Sequence, residues 1–150
     1  MDLLGRKVVA AGGAALRALA EDVHAAVLAS QAAGVDARLS TAVAQALDSV
    51  TALTMELAAK GVAGDVDAMM LHSTDYLDLF SVLVVAWQHL TMATAAVRKV
   101  AVGDDEVAFL RGKILSAEHW ILTECPRLEH LVALCRAGED SYARIRPSEL

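Results

Sequence analysis

Apolar residues recur at three- and four-residue spacing along four stretches of this chain, and a glycine closes each stretch. The first runs from about Leu3 to Ala33. Leu16, Leu19, Val23, Ala26 and Val27 form its apolar stripe, a bend is expected at Gly12-Gly13, and Gly34 supplies the stop. The second runs from about Asp36, a good N-cap, to Lys60, whose charge suits a helix C-terminus, with Gly61 after it. Leu39, Val43, Ala46, Leu47, Val50, Leu53, Thr54 and Leu57 keep its helical period.

The third stretch begins near Asp65 or Asp67 and reaches Val102, before Gly103. Tyr76, Phe80, Leu83, Trp87 and Leu90 form one continuous stripe, and Leu77, Val84 and Thr91 form a neighbouring one. A helix apolar most of the way round belongs at the centre of a protein, so this one is expected to be the most buried, with Trp87 largely covered. The fourth starts at the acidic cluster Asp104, Asp105 and Glu106 and extends to about Ala137, with Gly138 as its C-terminal stop. Its core face is read as Phe109, Leu110, Ile114, Ala117, Ile121, Leu128, Leu131 and Leu134. Pro126 lacks an N–H for the carbonyl of Leu122, which predicts a kink inside that helix. Residues 139–150 are polar, hold Pro147, and are expected to lie along the surface or fray. The pattern predicts an all-α fold, an antiparallel bundle of four main long helices.

Composition agrees. Hydrophobic residues make up 56% of the 150, much of it alanine, while aromatics are 4% and prolines number two. Alanine favours closely packed helices. The formal net charge of −6 disfavours nucleic acid, whose phosphates would be repelled, and anionic membrane surfaces. Leu79 to Val97 is nineteen residues without a charge, near the length of a membrane span. It nevertheless carries Ser81, Gln88, His89, Thr91 and Thr94, and Asp75 and Asp78 precede it, so a buried bundle helix is expected rather than a membrane span. No signal peptide is read at the start, where Arg6 and Lys7 follow the first apolar residues. Cys125 and Cys135 stand ten residues apart, about 15 Å along one helix, too far for a disulfide. They are read as two reduced thiols in a cytoplasmic protein.

Candidate chemistry is sparse. Glu21 and His24 form a Glu-x-x-His pair that would put two ligands on one helix face, as in carboxylate-bridged di-iron bundles. That site requires a second such pair and two further glutamates on partner helices; there is no second pair and the third stretch holds no glutamate, so a solvated face is the better reading and no metal is expected. His72, His89, His119 and His130 include no i, i+4 pair for zinc, and His89 reads as a satisfied core histidine. Serine, cysteine and histidine make no recognisable nucleophilic set, and there is no phosphate-binding glycine loop. Tyr76, Phe80 and Trp87 line either a ligand slot or, more simply, the core. From the residues alone, no catalytic, cofactor-binding or metal-ligating residue is assigned.

Two regions carry a likeness to a known family. One is Asp2-Leu3-Leu4-Gly5-Arg6-Lys7 followed by Gly12-Gly13. The other is Asp75-Tyr76-Leu77-Asp78-Leu79-Phe80, then Trp87, then Phe109-Leu110-Arg111-Gly112-Lys113-Ile114 with Ala117-Glu118. In order and spacing both resemble the C-terminal helical region, with its C-terminal extension, of bacterial FAD-dependent acyl-CoA dehydrogenases. There an Asp-Leu-x-Gly-Arg-Lys phrase follows the catalytic glutamate, and a Tyr-Leu-x-Leu-Phe helix is followed by a tryptophan and a Phe-x-x-x-Lys helix.

The resemblance implies a parent enzyme of fatty acid metabolism that removes hydrogens from Cα and Cβ of an acyl-CoA. A glutamate takes the α proton and FAD takes the β hydride. It also implies that this glutamate and the flavin site lie upstream of Met1, so that no catalytic role falls on this chain and the isolated chain is inert. Residues 1–33 then read as the last helix of the dehydrogenase-like helical region, 34–138 as the extension bundle, and 139–150 as a surface tail. The implied partners are the catalytic body, in cis or in trans, and further copies in a homo-oligomer. Leu3, Leu4, Val8 and Val9 are the expected self-association contacts. The alternatives are a stand-alone binding module with an apolar slot between helices and, less favoured, a carboxylate metal enzyme.

Overall fold

A computed structural model describes residues 13–103 and 106–149. The expected contacts at Leu3, Leu4, Val8 and Val9, the Asp2–Lys7 phrase and the Asp104-Asp105 pair lie outside the described residues. Among those described, the chain is helical and has no strand. The helices are α1 (Ala14–Ala32), α2 (Ala37–Val62), α3 (Val66–Met70), α4 (Ser73–Ala101), α5 (Val107–Glu124) and α6 (Arg127–Ala137), followed by 3-10 turns at Ser141–Arg144 and Pro147–Glu149.

The helix ends follow local chemistry. Gly34 takes φ 78 just past α1, a conformation costly for residues with a Cβ. Asp36 caps α2 by accepting the Arg38 backbone N–H at 2.8 Å. The expected stop at Lys60 comes slightly later: α2 runs through Gly61 to Val62, and Gly64, at φ 89, provides the left-handed turn.

Two expected helices divide. The third breaks at Leu71-His72 into α3 and α4, because Asp65 caps the short α3 through Ala68 N–H and Ser73, Thr74 and Asp75 favour a fresh first turn. The fourth breaks outright at Cys125-Pro126 into α5 and α6, where a kink was expected. Pro126 withholds its N–H, and Leu128 N–H turns to the Cys125 carbonyl at 3.0 Å.

The core lies along α2 and α4. Leu39, Val43, Val50 and Leu53 of α2 meet Tyr76, Leu79, Leu83 and Leu90 of α4, all essentially without solvent contact. α4 packs on α1, α2, α5 and α6. It is long and apolar enough to cross a membrane, but packing on four helices is the arrangement of a core helix. Three of its hydroxyls are satisfied within the helix: Ser81, Thr91 and Thr94 each donate to the carbonyl four residues back.

Three burial expectations are corrected. Trp87 is only half-buried, because the deep face of α4 is carried by Leu83, Ala86 and Leu90. Leu77 is 50% exposed, so α4 is not covered all round. Phe109 is 58% exposed and lies on the outer surface of α5 rather than its core face. On the outside, Arg38 joins α2 to Glu118 of α5 at 2.8 Å, and Arg136 of α6 grips Glu56 of α2 through two bonds of 2.6 and 2.8 Å.

Candidate functional site

Of the aromatic stripe read as core or, less simply, a ligand slot, Tyr76 is core while Phe80 and Trp87 are partly exposed. Tyr76 is fully buried, and its ring meets Phe80 at a centroid distance of 6.0 Å. The hydroxyls of Tyr76 and Thr54 are 2.7 Å apart. Thr54 spends its single proton on the Val50 carbonyl at 2.6 Å, so Tyr76 donates to Thr54. Burial pushes the Tyr76 phenol above its ordinary value, which keeps it a neutral donor.

Glu21 and His24 are exposed on α1, beside an open depression that also touches Arg17, Ala20, Ala25 and Leu28. No group of three or more metal-ligating side chains occurs among the described residues. His119 and His130 are exposed on α5 and α6.

Two histidine settings were not foreseen. His89 of α4 stacks on Trp120 of α5 with ring centroids 5.0 Å apart and planes within 15°. Burial, reinforced by the Lys113 charge, lowers its pKa, and its Nδ1 is buried with no hydrogen-bond partner among the described residues. Lys113 sits over the Phe109 ring, 5.1 Å from its centroid. The apolar run around His89 read it as a satisfied core histidine, whereas it is partly exposed and its Nδ1 is unsatisfied among the described residues; nothing in the sequence marked Trp120 as its neighbour, 31 residues on.

The second is a His–Asp–Cys grouping. His72 Nδ1 lies 3.0 Å from Asp75 Oδ2, the spacing of an oriented imidazole. Cys135 approaches it, but its thiol points to the His72 backbone carbonyl at 3.9 Å and not to the ring, whose Nε2 has no partner among the described residues. Burial also pushes the Cys135 thiol up to about 11, so it is not a thiolate at neutral pH. The parts of a nucleophilic set are present here, while its geometry and protonation are those of a packed core thiol.

The break at Pro126 opens a cleft of about 190 Å³ between α2, α5 and α6, touched by Gln45, Ser49, Ile121, Cys125 and Glu129. Small-molecule pockets generally exceed about 300 Å³. Cys125 at its base is buried, and burial pushes its pKa up to about 11 as well. Neither cysteine forms a disulfide.

A sequence profile of the family described as acetyl-CoA dehydrogenase C-terminal like matches residues 19–146. No curated protein and no solved structure matches the chain significantly.

Proposed function

The chain belongs to the acetyl-CoA dehydrogenase C-terminal-like family, and from that membership we propose that it is the non-catalytic C-terminal helical domain of an acyl-CoA dehydrogenase. In this reading it packs against the catalytic body, in cis or in trans, and adds contacts to a homo-oligomer. The observation that carries it is the extent of the family match, which spans nearly all of the described helices.

The residues support a scaffolding role. Two buried polar contacts serve the fold: Tyr76 is tied to Thr54, and Cys135 to the His72 backbone. Exposed Leu28, Leu77, Phe109 and Leu115 provide apolar surface for a neighbour. The short link between α1 and α2, and the return through α3 to α4, favour an antiparallel four-helix arrangement, with α1 as the described part of a 1–33 segment, 34–138 as the extension bundle and 139–150 as the tail. Both thiols being free and buried suits a cytoplasmic protein.

FAD belongs to the catalytic body in this proposal. When bound there it supplies the acceptor for the substrate's β hydride. The described residues do not fit a flavin: the cleft at Pro126 holds only about 190 Å³, and the larger hollow of about 570 Å³ is an open face of the single helix α1; no glycine-rich phosphate loop is present. A cleft of about 190 Å³ and an open hollow on one helix are not the enclosed apolar slot between helices that a stand-alone small-molecule binder would use.

The test is an assay of the chain alone with acyl-CoAs of several lengths, added FAD and an artificial electron acceptor. No turnover is expected above buffer; turnover would overturn the non-catalytic assignment.

A further inference from the structure

The break between α3 and α4 frees a backbone acceptor, and the tail fills it. Within one continuous helix the Leu71 carbonyl would accept from Asp75 N–H. Here His72 leaves the helical region, at φ −110 and ψ 40, and the Leu71 carbonyl accepts from the phenol of Tyr142 at 2.8 Å. The next carbonyl, that of His72, takes Tyr76 N–H at 2.9 Å and the Cys135 thiol at 3.9 Å. The junction is thus stitched by α6 and by the tail.

Apart from the tail, α3 is held by α2, on which it packs through Met69 and Met70. Five residues do not sustain a helix in water. Its cap is Asp65, which accepts Ala68 N–H at 3.0 Å, and its anchor is Met69, whose Sδ lies 2.5 Å from where a Cβ on Gly61 of α2 would stand. The tail, by contrast, is shaped to deliver Tyr142. Gly138 turns the chain at φ 61, and Glu139 accepts both the N–H and the hydroxyl of Ser141, at 2.8 and 2.9 Å.

We infer that residues 139–149 are a releasable strap: Tyr142 latches the tail to the α3–α4 junction, so that tail and α3 open and close as one unit. Opening admits water to His72 Nε2 and to the Cys135 thiol, while Cys125, at the α5–α6 break, stays covered. The inference stands on contacts within this chain and is independent of any catalytic body.

Hydrogen exchange and thiol labelling of Tyr142→Phe test it. Losing one hydrogen bond predicts that Cys135 labels about fivefold faster, while Cys125 labels as in the wild type. Amide exchange in 66–72 and in 141–146 rises together. Faster exchange in the tail alone, with 66–72 and Cys135 unchanged, would overturn the strap. So would equal acceleration of both cysteines, which reports global opening. Asp65→Ala gives the reverse test from the exposed α3 cap: exchange must rise in 141–146 as well as in 66–72, and a rise confined to 66–72 contradicts the coupling.

Discussion

The hydroxyls of Thr54 and Tyr76 meet 2.7 Å apart in the centre of the protein, with the proton order set by the Thr54 bond to Val50. The order makes the two positions unequal. Tyr76→Phe removes a donor whose acceptor keeps its own bond to Val50, and should cost about 0.5–1.5 kcal/mol. Thr54→Val leaves the Tyr76 phenol buried without an acceptor and should cost about 1–3 kcal/mol. Urea unfolding of both variants checks this; a larger loss for Tyr76→Phe would reverse the assigned proton order.

Trp87 and Tyr76 differ in the same way. Tyr76→Ala empties a fully enclosed site and should cost about 3–5 kcal/mol. Trp87→Ala, at a half-buried position, should cost about 1–2 kcal/mol. Equal losses would place Trp87 in the core after all.

Much of this arrangement was readable from the residues. Every α2 position from Leu39 to Leu57 assigned to the core is buried, because one uninterrupted period selects one face. The divisions at Leu71-His72 and Cys125-Pro126 were harder to read, since a helical pattern continues through a break when both pieces pack on the same core. Trp87 and Phe109 failed for a different reason: a wide apolar stripe exceeds what neighbouring helices cover, and periodicity does not say which edge is left out. The His72, Asp75 and Cys135 grouping joins residues 63 apart and has no local signature.

His89 makes stability depend on pH. Its pKa is lowered in the folded state from 6.5 by burial first and Lys113 second. Below 6.5 the unfolded chain therefore binds more protons than the folded one. This contribution is fully present above pH 6.5 and is lost as the pH falls through 6.5 toward the lower folded value. His89→Phe, which keeps a ring against Trp120, should flatten the stability profile across that window. An unchanged profile would show that His89 titrates freely in the fold.

Cys125 and Cys135, with pKa values pushed to about 11, should resist alkylation at pH 8 in the native protein and react promptly in denaturant. Prompt native labelling of Cys125 would show the cleft at Pro126 to be an open, activating environment.

Docking on a dehydrogenase body is measured directly by sedimentation velocity followed at the flavin absorbance. A flavin-loaded acyl-CoA dehydrogenase body lacking its C-terminal extension is run alone and with this chain carrying a separate fluorophore. With the chain present, the flavin boundary is expected to sediment faster and the fluorophore to travel with it. Two independent boundaries, each at the rate of the isolated protein across the micromolar range, would contradict it.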